Sequence, residues 1–113
     1  GLIYISTDYG ISLYDLVGLE FGDTYFIGNG GAQIAVKQIS ILNDEIYAAC
    51  LDNNGIKKAD VNNPNLIDFQ QWQTLITGDY YTMSALNNSI YSVRSNYLLY
   101  RYYHEMQRPQ ILM

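Results

Sequence analysis

The stretch Leu42-Asn43-Asp44-Glu45-Ile46-Tyr47 recurs without a gap as Leu86-Asn87-Asn88-Ser89-Ile90-Tyr91. Its last two residues recur once more as Ile3-Tyr4, so the Ile-Tyr pairs stand 43 and 44 residues apart. A fixed period of that size marks a repeat architecture and takes precedence over any local reading. The similarity extends downstream. Ser6-Thr7-Asp8-Tyr9-Gly10-Ile11 is similar to Leu51-Asp52-Asn53-Asn54-Gly55-Ile56, whereas the third copy, Arg94-Ser95-Asn96-Tyr97-Leu98, carries Tyr97 where glycine is expected.

Each copy reads as a run of short strands. Residues 36–42 and 81–86 alternate as inner strands, and Asn43-Asp44 and Asn87-Asn88 follow as two-residue links. Asn and Asp tolerate the positive φ of type I′ hairpins, so these links are turns. The second strands, 2–6, 45–51 and 89–94, are nearly continuous in apolar and tyrosine residues. Alternation sends Ile46, Ala48 and Cys50 one way and Tyr47, Ala49 and Leu51 the other, so both faces are apolar, as in a sheet covered on both sides. Third strands follow at 11–16, 56–61 and 98–103. Outer strands are expected at 23–27 and 72–76, with 110–113 supplying the last. The segment 65–72 after Pro64 permits a helical turn and reads as an excursion before the outer strand. Nowhere do apolar residues recur at i, i+3 and i+4 over the length a helical solenoid needs.

Four short antiparallel strands at this period predict an all-β fold, a partial β-propeller of about 2.6 four-stranded blades. The expected division is a partial blade over 1–31, a full blade over 32–77 and a partial blade over 78–113. Rings close with about 4 to 8 blades. The chain is therefore expected either to be an arc of a longer protein, covered by that parent's remaining blades, or to self-associate through the apolar faces of its end blades.

Composition limits the function classes. Of 113 residues, 49% are hydrophobic and 14% aromatic, too many for a disordered segment. The net charge of −5 disfavours nucleic acid and anionic membrane surfaces. No apolar run is long enough to span a bilayer as a helix. One cysteine, Cys50, cannot build an internal disulfide framework. Charge is uneven: everything before Ile90 carries ten acids and three lysines, whereas Arg94, Arg101 and Arg108 all fall in the last 20 residues. Such opposed ends suit a closed ring or an oligomer.

The run Tyr4-Ile5-Ser6-Thr7-Asp8-Tyr9-Gly10-Ile11-Ser12-Leu13-Tyr14-Asp15 resembles the repeat of two-component-regulator propellers. Gly55-Ile56-Lys57-Lys58-Ala59-Asp60, then Asn63-Pro64-Asn65-Leu66-Ile67-Asp68-Phe69 with Gln71-Trp72, resembles the N-terminal propeller of PorZ-type proteins of Bacteroidetes. The PorZ resemblance implies a non-catalytic propeller of the type IX secretion system. It would be exported in a Gram-negative bacterium to the periplasm or the outer-membrane surface and act on secretion-system proteins or a surface glycan. The two-component resemblance implies instead a periplasmic sensory propeller binding a small ligand. The motif residues are structural, so neither resemblance carries binding positions onto this chain.

No catalytic constellation, metal site or cofactor site is expected. Cys50 is mid-strand among apolar neighbours, and His104, the only histidine, lies on another blade beside Glu105. A nucleophile and its base need hydrogen-bond reach of each other. Asp52-Asn53-Asn54-Gly55 begins like a calcium loop, but Asn63 stands where an EF-hand has glutamate, so it reads as a plain turn. Gly28-Asn29-Gly30-Gly31 lacks the Gly-Lys-Ser/Thr of a phosphate loop. It reads as a connection leading into a strand at 32–36. Among twelve tyrosines, most fall at packed strand positions; Tyr80 and Tyr81, near the start of an inner strand, are the candidates for an exposed aromatic pair at a propeller face.

Overall fold

The computed structural model describes residues 1–103 and 109–113. The sequence reading of His104, on another blade from Cys50 and beside Glu105, falls outside the described residues. Among the described residues, eleven strands form three antiparallel sheets. The first sheet holds β1 (Leu2–Ser6), β2 (Ile11–Asp15) and β3 (Glu20–Tyr25). In the second, β4 (Val36–Leu42), β5 (Glu45–Cys50), β6 (Gly55–Asp60) and β7 (Gln73–Ile76) pair in chain order. The third repeats that order with β8 (Ser84–Leu86), β9 (Ser89–Val93), β10 (Leu99–Tyr103) and β11 (Gln110–Ile111). The fold is a partial propeller, all β, with its sheets stacked face to face.

The two Asn-rich links form as the sequence predicts. Asn43 and Asp44 have φ of 50° and 63°, Asn87 and Asn88 50° and 65°, the paired positive values of a type I′ turn. Each turn fixes the register of the hairpin around it, Leu42 opposite Glu45 and Leu86 opposite Ser89.

Side-chain alternation along β5 divides the molecule's interior in two. Ile46, Ala48 and Cys50 join a core with Ile11, Leu13, Tyr25 and Ile27 of the first unit. Tyr47 and Ala49 join a second core with Tyr80, Met83, Ile90, Tyr100 and Tyr102 of the third. The second sheet is thus buried on both faces. Leu51 does not continue the alternation: β5 ends at Cys50 and Leu51 opens a turn, because Asp52 and Asn53 take φ of 56° and 63°.

The backbone stitches each sheet to the next at equivalent points. The Val36 amide donates to the Thr7 carbonyl (2.9 Å) and, 44 residues on, the Tyr80 amide donates to the Cys50 carbonyl (3.0 Å). Within the second and third units, the Leu51 amide donates to the Ala35 carbonyl (3.1 Å) and the Ser95 amide to the Asp79 carbonyl (2.8 Å), extending the pairing of the inner and second strands. At the opposite end Lys58 bridges the second and third sheets. Its ammonium lies 2.8 Å from Glu45 and donates to the Tyr102 hydroxyl at 3.2 Å.

Several strand edges differ from the sequence reading. The inner strand expected at 81–86 is regular only from Ser84, because the Met83 amide is taken by the Gln38 side chain and Thr82 bonds β9 through its hydroxyl. The strand expected at 32–36 starts only at Val36: Asn29–Gly31 forms a 3-10 turn that Ala32 closes. The outer strand expected at 23–27 runs earlier, Glu20–Tyr25, set by an edge-to-face contact of Tyr14 with Phe21. Trp72 precedes β7 rather than starting it. It ends a 3-10 turn, Phe69–Gln71, and its indole donates to the Leu66 carbonyl at 3.0 Å inside the first core.

Gly55 explains why the repeat carries glycine before its third strand. Its φ is +78°, and a Cβ placed there would stand 1.7 Å from the Ile76 carbonyl oxygen. Gly10 meets the Tyr25 carbonyl in the same way, at 2.2 Å. The outer strand closes onto bare backbone at both points. Gly55→Ala is expected to cost about 2–4 kcal/mol, strain and collision together. Gly30→Ala, also at positive φ but facing open space, is expected to cost about 1 kcal/mol. Urea unfolding of the two variants measures the difference.

Candidate functional site

The stitching bonds place the start of each inner strand beside the turn between the second and third strands of the preceding unit. The turns 7–10, 51–54 and 94–98 and the connections 28–35 and 77–83 therefore share one end of the stack. Antiparallel alternation sends the Asn-rich turns to the other end.

Three tyrosines stand out at the first end. Tyr81 is 46% exposed, Tyr9 47% and Tyr97 89%. Tyr81 was one of the two aromatics singled out from sequence; Tyr9 and Tyr97 were not. The signal that marks them is their place in the turns next to the repeat's glycine position, where a large side chain has nothing to pack on. Tyr97 adopts φ of 66°.

Tyr80 corrects the sequence reading. It is fully buried and belongs to the second core, not to an exposed pair. The reason is register: Tyr80 bridges Arg94 as Val36 opposes Cys50, so Tyr80 occupies the buried position that Val36 holds one unit earlier. Its ring meets Tyr100 edge-on at 5.5 Å, and the Arg94 guanidinium lies 6.0 Å from its centroid. Arg94 also reaches the Tyr100 hydroxyl at 3.4 Å. Thus Tyr80 and Tyr81 point to different environments, and only Tyr81 is available to a ligand.

The remaining sequence candidates have structural employment. Cys50 is fully buried, and burial pushes its thiol up to about 12, far from a reactive thiolate. In the turn 51–54, the Asn54 side chain donates to the Leu51 carbonyl and the Asn53 amide donates to the Asp79 carboxylate at 2.6 Å. Among the described residues no three His, Cys, Asp or Glu side chains gather around a common point. No helix among them is long and apolar enough to cross a membrane. What this end of the molecule can do chemically is stack and hydrogen-bond through phenol rings set on rigid turns.

Comparison with known proteins fits this geometry. Residues 1–73 match the family described as "TSS9, PorZ, N-terminal beta-propeller domain". The chain belongs to this family. A solved structure of PorZ, described as an essential bacterial surface component of the type-IX secretion system of Porphyromonas gingivalis, aligns with 99% of the chain at a TM-score of 0.69 and 14% identity. The chain spans 15% of the length of that structure. No curated protein matches it. The PorZ propeller match covers the first two sheets up to the start of β7.

Titration follows from the same burial. Burial raises Tyr47, Tyr25 and Tyr80, the last to about 12, together with Cys50. Groups whose folded pKa is raised contribute stability that is whole below their ordinary values, about 9–10, and lost above them. Lys57 works oppositely: burial lowers its pKa, so its penalty fades as pH rises toward about 10.5. Four groups outweigh one, so the melting temperature is expected to fall between about pH 9 and 12. Phenolate absorbance from Tyr25, Tyr47 and Tyr80 should lag until the chain unfolds; ionisation of these three near pH 10 in the folded state contradicts this. Separately, Tyr80→Ala is expected to cost about 3–5 kcal/mol and Tyr81→Ala less than about 0.5 kcal/mol, with Tyr80→Phe within about 1 kcal/mol of the parent. Denaturant midpoints report all three.

Proposed function

We propose that this chain is a non-catalytic propeller segment of an exported surface protein of a type IX secretion system, acting by contact with protein or glycan. The observation that carries the reading is the PorZ propeller match over residues 1–73. In this reading the three sheets are blades of one propeller domain, divided at 1–31, 32–77 and 78–113, and the protein works at the periplasmic or outer-membrane surface of a Gram-negative bacterium. The family favours this over the sensory propeller that binds a small ligand. The working surface is the end that exposes Tyr9, Tyr81 and Tyr97, because phenol rings on fixed turns offer contact area at little entropic cost.

The test is binding of the purified chain to outer-membrane extracts of its source bacterium, separated into protein and glycan fractions. One fraction is expected to retain the chain, and Tyr81→Ala combined with Tyr97→Ala should weaken retention about tenfold or more without moving the melting temperature. Retention unchanged by the double substitution assigns the contact to another surface and overturns this reading, as does retention by neither fraction.

A further inference from the structure

We propose that Asn29 is a site of spontaneous modification: its side chain cyclises onto the Gly30 amide and reopens as aspartate or isoaspartate, while the fold keeps the other Asn-Gly pair, Asn54-Gly55, unreactive. Two asparagines in the chain precede glycine, Asn29 and Asn54. A glycine after asparagine leaves the attacking backbone nitrogen unshielded by any side chain, and its wide φ/ψ range lets that nitrogen swing toward the carboxamide. The sequence alone makes both pairs reactive; the structure separates them.

At Asn29 little opposes the reaction. Asn29 and Gly30 are both exposed, and a Cβ placed on Gly30 would find nothing within 4 Å. They lie in the 3-10 turn Asn29–Gly31, whose two backbone bonds run from the Gly31 amide to the Gly28 carbonyl (2.9 Å) and from the Ala32 amide to the Asn29 carbonyl (3.3 Å). Neither bond uses the Gly30 amide. A single turn of this helix is weakly held, and the two residues after Asn29 are glycines with φ of 69° and 81°. The turn belongs to the connection between the first and second sheets and lies against the 3-10 turn Phe69–Gln71. Its neighbours on both sides are in place, so its exposure is a property of the stack.

At Asn54 each requirement is blocked. The Gly55 amide donates to the Gly78 carbonyl at 2.8 Å. The Asn54 side-chain nitrogen donates to the Leu51 carbonyl at 2.9 Å and to the Asp52 carbonyl at 3.3 Å, which holds the carboxamide on its own turn. The Ile76 carbonyl closes over Gly55, so isoaspartate, which lengthens the backbone by one carbon, has no room. Reaction here requires the outer strand to lift away, and the free energy of that local opening sets the protection.

The chemistry needs only water and hydroxide. Hydroxide takes the Gly30 amide proton, and the nitrogen attacks Cγ of Asn29. The new N–Cγ bond closes a cyclic imide as the bond from Cγ to the side-chain nitrogen breaks. That nitrogen leaves as ammonia after taking a proton from water, which returns the hydroxide. Water then opens the imide at either carbonyl, and nothing is oxidised or reduced. The product puts a carboxylate in the stretch 24–36, which carries no charge, at the end of the stack where Tyr9 and Tyr81 are exposed.

The folded chain is held at about pH 8, below the range in which it loses stability, and both asparagines are followed by peptide mapping that distinguishes aspartate from isoaspartate. Asn29 is expected to convert about tenfold or more faster than Asn54, with a new acidic band on isoelectric focusing and one ammonia released for each chain converted. In denaturing urea the two should convert at rates within about threefold of each other. Asn29→Gln, whose ring would be one atom larger, should lose the acidic band. An Asn29 that converts in urea but not in the folded chain overturns the proposal. So does an Asn54 that keeps pace with Asn29 in the folded chain, because the fold then separates nothing. No ligand enters these measurements, so their outcome is independent of the surface reading.

Discussion

A sheet with two apolar faces has no stable existence as an outer layer. Every other feature of this molecule follows from that constraint. Burying one face against a neighbour leaves the other in water, and the remaining solution is to stack like units in series. The second sheet shows the result: Ile46, Ala48 and Cys50 go to one core and Tyr47 and Ala49 to another, all of them inaccessible to solvent. At about 25 cal/mol per Å² of apolar surface removed from water, such double cover is the main source of stability available to sheets of only a few residues per strand.

Hydrophobic burial alone would let sheets slide over one another. The bonds from Val36 to Thr7 and from Tyr80 to Cys50 prevent this, because each ties one backbone amide to one carbonyl at the same point of the repeat. They also give the stack a polarity. One end collects the connections and the turns before the third strands, the other the tight Asn-rich hairpins. Function on a repeat architecture needs such a distinction, since turn residues at one end can vary while strand residues stay committed to packing. The polar clamp of Lys58 on Glu45 and Tyr102 sits away from the exposed tyrosines, so fastening the sheets and presenting aromatic rings are tasks of opposite ends.

The periodic part of this design is legible in the residues themselves. Two Ile-Tyr spacings give the unit, the alternation in 45–50 gives both cores, and Asn-Asp with Asn-Asn give the hairpins. What escapes is whatever depends on one side chain replacing a backbone partner. Nothing local in Thr82-Met83 announces that Gln38, 45 residues earlier, takes the Met83 amide and interrupts the inner strand. Trp72 has the composition of a strand residue, yet its indole hydrogen bond to Leu66 holds it at the end of a 3-10 turn. Tyr80 is a different matter. Extending the 44-residue spacing from Val36 places it in the core, so the period already held the answer that the pairing with Tyr81 obscured. The exposed rings Tyr9 and Tyr97 are hidden because tyrosine, the commonest aromatic in this chain, also packs both cores, and only the turn geometry separates the two uses.

The third unit breaks the one rule that the first two obey, and the way it does so bears on the surface reading. Gly10 and Gly55 lie under the carbonyls of the outer strand, where no Cβ fits. In the third unit the residue at that place is Leu98, whose carbonyl accepts the Arg94 amide as that of Gly10 accepts the Thr7 amide. The turn solves the conflict by moving the left-handed residue back by one. Tyr97 takes φ of 66°, its amide donates to Arg94, and the Asn96 side chain accepts from the Leu98 amide at 3.1 Å. A β-carbon in that region costs on the order of 1 kcal/mol, which glycine would avoid. The expenditure returns nothing to the core, because the Tyr97 ring is almost wholly in solvent. In the proposed reading, that strain is ascribed to what the Tyr97 side chain meets outside the molecule.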